Sequence, residues 1–363
     1  MRRIYNFSAG PAIHPVSVLE EASQAILEIN GSGMSLLEVS HRGKDYDAIH
    51  IEAMANVLKT LGLSADEYTV CFLGGGASTQ FALLPMNFLS AGQTADYIDA
   101  GEWGNKAVAE AKRVGTVNVA GSSADTNYDR IPKTLTLSAP GVARYVHFTT
   151  NNTIEGTQVF ALPETNGAPL TADMSSDIFA LDRDYSKFDL LYAGAQKNAG
   201  PAGVTMVVIR RSFLETANRK LSPMFSYLVQ SQKDSLFNTP PVFPIYVVNL
   251  TLKWIAAQGG VAAIEKQNRE KAALIYDALD AAPDFYVPCA WERADRSLMN
   301  ITFRLKDESL HPAFLAQAKM RDMDGLPGHR NVGGFRASIY NAFPVEGCQA
   351  LADLITEFAQ KNG

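Results

Sequence analysis

The chain has 363 residues and a mass of 39.4 kDa, a length that suggests about two domains. Hydrophobic residues make up 47% and charged residues 19%, which excludes a charge-rich disordered chain without a core. The net charge of −6 gives no overall electrostatic reason to seek nucleic acid or an anionic membrane. Any bound anion must therefore be held by a local cluster of positive groups.

The first fifteen residues read as an extended arm, punctuated by Gly10-Pro11 and His14-Pro15, because proline biases the preceding residue away from helix. The arm has basic residues but no apolar stretch of the secretory kind. Helical patterns follow at about 16–30 and 45–61. In the first, Val16, Leu19, Ile26, Leu27 and Ile29 form an imperfect apolar stripe. Short apolar strands then alternate with helices. Strands are expected at Thr69–Leu73, Ala95–Ile98, Thr116–Val119, Tyr145–Phe148, Pro169–Asp173, Leu190–Tyr192 and Val204–Ile209. Thr79–Leu89 and Asn105–Val114 have helical character. Nearly continuous apolar strands between helices predict a largely parallel sheet covered on both faces. Ligands in such sheets bind beyond the carboxyl ends of the strands.

After Ile209 the pattern changes. Pro240, Pro241 and Pro244 mark a stiff, non-helical connection. Helices at about Tyr246–Gln258 and Val261–Leu279 lead into a second unit, with strands near Asn300–Arg304 and Ala337–Ile339 and a last helix at about Glu346–Lys361. The expected division is an arm over 1–15, a large α/β domain over 16–260 and a smaller C-terminal α/β domain over 261–363. No apolar run approaches the ~20 residues of a membrane helix. Cys71, Cys289 and Cys348 are far apart and form no metal-binding spacing. They read as buried or half-buried free thiols in a reducing, cytoplasmic compartment.

Four constellations stand out. Gly74-Gly75-Gly76-Ala77-Ser78-Thr79 follows a strand and opens a helix, which suits either a phosphate cup or a tight structural turn. Lys197 sits among small residues after the strand ending at Tyr192. A lysine there is suited to desolvation and to forming a Schiff base with an aldehyde, whereas most other lysines read as ordinary solvated charges. Asp173 ends the preceding strand and suits a pyridinium nitrogen, the alternative being a helix cap. His41-Arg42 and His329-Arg330, with Arg336, lie in glycine-rich loops. Guanidinium groups there suit a polyanionic substrate. Lys44, Asp45 and His50 carry no evident chemistry and read as solvated.

Taken in order, these segments resemble the phosphoserine aminotransferases, fold-type I pyridoxal phosphate enzymes among the class V aminotransferases. The likeness runs through Asn6-Phe7-Ser8-Ala9-Gly10-Pro11, Ser40-His41-Arg42-Gly43-Lys44, Gly75-Gly76-Ala77-Ser78, Gly101-Glu102-Trp103, Asn152-Thr153-Ile154-Glu155-Gly156, Ala172-Asp173-Met174-Ser175-Ser176 and Ala195-Gln196-Lys197-Asn198. It ends in Gly328-His329-Arg330 and Gly333-Gly334-Phe335-Arg336-Ala337-Ser338-Ile339-Tyr340-Asn341-Ala342. The resemblance implies a seven-stranded, mainly parallel sheet domain binding pyridoxal 5'-phosphate. Lys197 would hold the cofactor covalently and shuttle a proton, Asp173 would pair with the ring nitrogen, Trp103 would stack on the ring and Thr153 would bond its phenolic oxygen. Gly76, Ala77, Ser78 and Gln196 would hold the phosphate, with Asn238 and Thr239 reaching across from a second subunit. Arg336 would grip the α-carboxylate, and His41, Arg42, His329 and Arg330 the distal anion. Some family members carry an arginine where this chain has Ala77-Ser78, which leaves open how far this turn touches substrate phosphate.

The implied reaction moves the amino group of L-glutamate to 3-phosphohydroxypyruvate, giving O-phospho-L-serine and 2-oxoglutarate, in a cytoplasmic homodimer with shared active sites. Action on 3-hydroxy-2-oxo-4-phosphooxybutanoate, in pyridoxine biosynthesis, is left open. A desulfurase is disfavoured because no cysteine lies in a glycine-rich loop. A cofactor-free phosphate-binding protein on the same scaffold would have no use for Lys197, Asp173 and Trp103 together.

Overall fold

The computed structural model describes residues 3–363; residues 1–2 of the expected arm lie outside the described residues. The central sheet has seven strands: β1 (Tyr68–Leu73), β2 (Thr94–Asp99), β3 (Thr116–Ser122), β4 (Ala143–Thr149), β5 (Leu170–Asp173), β6 (Leu190–Gly194) and β7 (Thr205–Arg210). Their order is β1-β7-β6-β5-β4-β2-β3. β7 runs antiparallel to both neighbours, and the remaining pairs are parallel. β1 and β6 both oppose β7, so they point the same way. The loops after β1, β2, β4, β5 and β6 therefore open on one edge.

The sheet is buried on both faces, as period-two alternation requires. On one face Val70, Phe72, Val146, Phe148, Met206 and Val208 pack under Ile245, Val248, Leu252 and Ile255. On the other, Cys71, Tyr97, Tyr145, Tyr192 and Val207 meet Phe81, Leu84, Phe88, Ala107 and Val108. The helices that supply these residues are α3 (Gly76–Phe88), α4 (Glu102–Ala111) and α5 (Val242–Ala257), and α1 (Val16–Leu27) and α2 (Lys44–Thr60) pack on α5. A third core joins α6 (Val261–Asp280), α7 (His311–Met320) and α8 (Val345–Asn362) to a three-stranded antiparallel sheet, β8 (Tyr286–Pro288), β9 (Asn300–Leu305) and β10 (Phe335–Ser338). The arm pairs Tyr5–Asn6 in parallel with Met323–Asp324, so it is tied to this last unit.

Several expectations are corrected. α3 and α4 each begin three residues earlier than the periodicity indicates, so Gly76-Ala77-Ser78 and Trp103 lie in first helical turns. Pro244 lies in the first turn of α5 rather than in a non-helical connection. A missing N–H is tolerated there. On α1 the buried face is Val18, Ala22 and Ala25, while Val16, Leu19, Ile26 and Leu27 are exposed. His50 is buried, its ring bonded to the Tyr46 hydroxyl (3.1 Å) and the Asp234 carbonyl (2.6 Å). Helix α7 and strand β8 have no counterpart in the sequence reading. Cys71 and Cys348 are buried, Cys289 is half-buried, and all three are free thiols. Among the described residues no single helix is long and apolar enough to cross a membrane.

Candidate active site

Lys197 lies in the loop joining β6 to β7, on the edge where the parallel strands end. The arm covers this loop, with Ala12 N donating to Gln196 O (2.9 Å). Gly10 has φ +139, and a Cβ there would come within 3.3 Å of the Lys197 stem, so a side chain at position 10 would crowd the lysine. Lys197 Nζ donates to Thr153 Oγ1 at 2.8 Å. Burial pushes its pKa down to about 8, with Arg336 assisting and Asp173 opposing. A larger fraction of the amine is thus neutral near physiological pH than for a free lysine, as nucleophilic attack on a carbonyl requires.

Asp173 ends β5 and is 3% exposed. Its Oδ1 accepts from Ser175 N (2.9 Å) and Ser175 Oγ (2.6 Å). Burial raises its pKa, while Ser175 and Lys197 oppose the rise. A cation placed against it would favour the carboxylate form. One strand over, His147 bonds the Tyr192 hydroxyl through Nε2 (2.9 Å). Burial lowers its pKa to about 3, so it is neutral at any ordinary pH.

Trp103 stands in the first turn of α4 with the Lys197 ammonium 5.7 Å and the Lys106 ammonium 4.6 Å from its ring centre. Lys106 also pairs with Glu102 (3.2 Å). Opposite, α3 opens at Gly75 in the left-handed region (φ +88). A Cβ at Gly75 would collide with Thr79, whereas the space beside Gly76 is open. The first-turn N–H groups of α3 have no intrahelical acceptor, so they form an anion cradle at the helix N-terminus. The Thr79 hydroxyl is already engaged with Gly75 O (2.9 Å), which leaves Ser78 as the exposed hydroxyl of this turn.

Arg336, on β10, reaches back to Thr153 O (3.4 Å). Partial desolvation lowers its pKa, opposed by Tyr340 and Glu155. His329 and Arg330 lie on the loop before it, and burial with the nearby Arg336 and Arg330 charges holds the His329 pKa down. Lys197, Thr153, Asp173, Trp103, Arg336 and His329 therefore form one group. His41, Arg42, Asn238 and Thr239 do not join it: among the described residues no hydrogen bond, ion pair or ring contact links them to any member of that group. Arg42, Asn238 and Thr239 are exposed, and the buried His41 Nε2 has no partner.

Buried polar atoms without partners crowd this region. They include Trp103 Nε1, His147 Nδ1, Thr149 Oγ1, Asn152 Oδ1, Glu155 Oε2 and Arg336 Nε. Such atoms are costly unless a ligand satisfies them. Together with the open cradle at Gly76, they fit a polar aromatic group carrying a phosphate. Sequence reasoning missed Lys106, His147, Ser175 and Glu155. Only Glu155 and Ser175 lay inside a quoted motif, and their residue types there also suit ordinary turns.

The sequence profile of the family described as aminotransferase class-V matches residues 4–351. The chain is 52% identical to the phosphoserine aminotransferase of Desulfosudis oleivorans, over 100% of this chain and 99% of that one. The solved phosphoserine aminotransferase of Bacillus circulans subsp. alkalophilus superposes with a TM-score of 0.95 at 48% identity, covering 99% of both chains. The pyridoxal phosphate-bound phosphoserine aminotransferase of Trichomonas vaginalis superposes with a TM-score of 0.91 at 36% identity, covering 97% of this chain and 99% of that one. With this fold, this lysine site and these relatives, the chain belongs to the class-V aminotransferase family, among its phosphoserine aminotransferases.

Proposed function

We propose that the protein is a pyridoxal phosphate-dependent transaminase that moves the amino group of L-glutamate to 3-phosphohydroxypyruvate, giving O-phospho-L-serine and 2-oxoglutarate. The observation that carries this reading is Lys197: a desolvated amine, bonded to one hydroxyl and facing a set of polar atoms without partners.

Pyridoxal phosphate, when bound, supplies an aldehyde for amine exchange and a ring that withdraws electrons from the substrate Cα. The residues that would hold it fit that group. The first turn of α3 (Gly76, Ala77, Ser78), with Gln196, would take the phosphate, and Trp103 would cover the ring. Thr153 would face its phenolic oxygen, and Asp173 would hold a proton at the ring nitrogen. Lys197 would act as the base that moves a proton from the donor Cα to the cofactor carbon in one half of the transfer, and from that carbon to the product Cα in the other. Arg336 orients the α-carboxylate in a fork that a lysine cannot copy.

L-Glutamate and 3-phosphohydroxypyruvate both carry an α-carboxylate and a second anion, so one basic pocket serves both. His329 and Arg330 would take the distal anion from the same protomer. His41, Arg42, Asn238 and Thr239 would act across a homodimer interface. Support for that interface comes from the apolar side chains left exposed on and after α1: Leu19, Ile26, Leu27, Met34 and Leu37. We place the protein in the cytoplasm. Residues 16–260 serve as the cofactor-bearing domain, and 261–363 as the unit that contributes Arg336. A coupled assay with glutamate as donor tests the reading and compares 3-phosphohydroxypyruvate with 3-hydroxy-2-oxo-4-phosphooxybutanoate. No release of 2-oxoglutarate with either acceptor would refute it.

A further inference from the structure

Glu155 is a buried carboxyl that none of the steps above uses. It lies in the tight turn between the paired segments Asn151–Asn152 and Thr157–Gln158. It is 5% exposed. Its Oε1 accepts from the backbone N–H of Glu102 at 2.9 Å, at the start of α4. Its Oε2 is buried without a partner. The fit against α4 is tight: a Cβ at Gly101 would lie 2.9 Å from Oε2 and 2.7 Å from Asn152 Oδ1.

The same turn reaches the rest of the site. Thr153 Oγ1 accepts from Lys197 and Thr153 O from Arg336. The turn is itself pinned to β9, since Thr302 Oγ1 donates to Glu155 O (2.8 Å). One short segment thus touches the lysine, the arginine and the helix that carries Trp103.

We propose that Glu155 is a positioning residue, whose ionised carboxylate clamps the first turn of α4, and so Trp103, against the Thr153 turn that holds Lys197 and Arg336. A carboxylate at a helix N-terminus is favoured by the free N–H groups and the helix dipole. Its charge also favours the protonated forms of Lys197 and Arg336. The groups facing it are the carboxylates of Asp99 and Glu102, the Tyr128 hydroxyl, Arg336 and Lys197. Burial and the two neighbouring carboxylates raise its pKa to about 7. The clamp is therefore charged above neutrality and is lost as pH falls through that value.

This inference rests on the reading of Trp103 and Lys197 as parts of the cofactor site. The test compares the wild type with Glu155→Gln, which keeps an acceptor for Glu102 N–H but cannot ionise. In holoenzyme, Glu155→Gln should lower kcat/KM about tenfold above neutrality. It should match the wild type at about pH 6 and keep a similar melting temperature. In cofactor-free protein, Trp103 emission, taken as the difference from Trp103→Phe, should show a step at about pH 7 in the wild type that is missing in Glu155→Gln, where only the step near 8 from Lys197 remains. If Glu155→Gln follows the wild-type profile in both measurements, or alters only the melting temperature, the inference is wrong. A wild type that takes up no pyridoxal phosphate would instead overturn the proposed function, while the emission titration would still decide the clamp.

Discussion

Two buried lysines of this protein invite comparison. Burial pushes both Lys197 and Lys271 down to about 8. Lys271, on α6, is wholly buried, and its ammonium meets four carbonyl oxygens, those of Ile339 (3.1 Å), Tyr340 (2.7 Å), Asn341 (3.4 Å) and Phe343 (3.2 Å). Lys197 has one side-chain partner, Thr153, and neighbours whose polar atoms are unsatisfied. A lowered pKa alone does not mark chemistry. An amine surrounded by acceptors is a structural clip, and an amine beside unpaired groups is poised for a ligand.

The comparison is sharpened by changing each side in turn. Lys197→Ala should abolish turnover, by about 10⁴-fold or more. It should also remove the visible absorbance of the bound cofactor while leaving the fold intact; substantial residual turnover would remove Lys197 from the mechanism. Asp173→Asn keeps the shape but removes the charge from the ring-nitrogen position. Its kcat should fall roughly 10- to 100-fold, in line with a lost charged hydrogen bond. Arg336→Lys should act mainly on substrate binding, raising KM for both substrates by about tenfold. A kcat loss with KM unchanged would contradict the assigned role.

On the structural side, Lys271→Met leaves four carbonyls short of a donor. Unfolding should become easier by about 1–3 kcal/mol, with kcat within about twofold of the wild type. The same lysine also makes a pH-dependent contribution. The folded state releases its proton near 8, whereas the unfolded chain holds it up to 10.5. The unfolded state binds more protons between those values, so this contribution to stability rises with pH across that window. Denaturant titrations at several pH values should show that rise reduced in Lys271→Met.

How much of this was legible depends on the kind of signal. The strands were read because doubly buried strands are apolar along their length, as in Val204–Ile209. Lys197 and Asp173 were read because small residues and strand ends frame them. The starts of α3 and α4 were not, because Gly75 and Gly101 stand at their N-caps where a serine or aspartate would announce a helix. Of the apolar stripe on and after α1 only Ile29 is buried, because Val16, Leu19, Ile26 and Leu27 point outward while Val18, Ala22 and Ala25 pack inward. Periodicity finds an apolar face without saying what covers it. Lys271 reads as one more solvated charge on an amphipathic helix, since its four acceptors come from a segment about seventy residues away. Glu155 carries no signal of its own for the same reason: the groups that hold it, at Glu102 and Thr302, are distant in sequence.

The most direct test is a half-reaction without any acceptor. The protein loaded with pyridoxal phosphate is mixed with L-glutamate alone, and 2-oxoglutarate is counted. One equivalent per active site should be released, with a matching loss of the starting visible absorbance, and 3-phosphohydroxypyruvate should then restore that absorbance while yielding phosphoserine. No 2-oxoglutarate above background, or restoration by unphosphorylated oxo acids other than 2-oxoglutarate as readily as by 3-phosphohydroxypyruvate, would contradict the account.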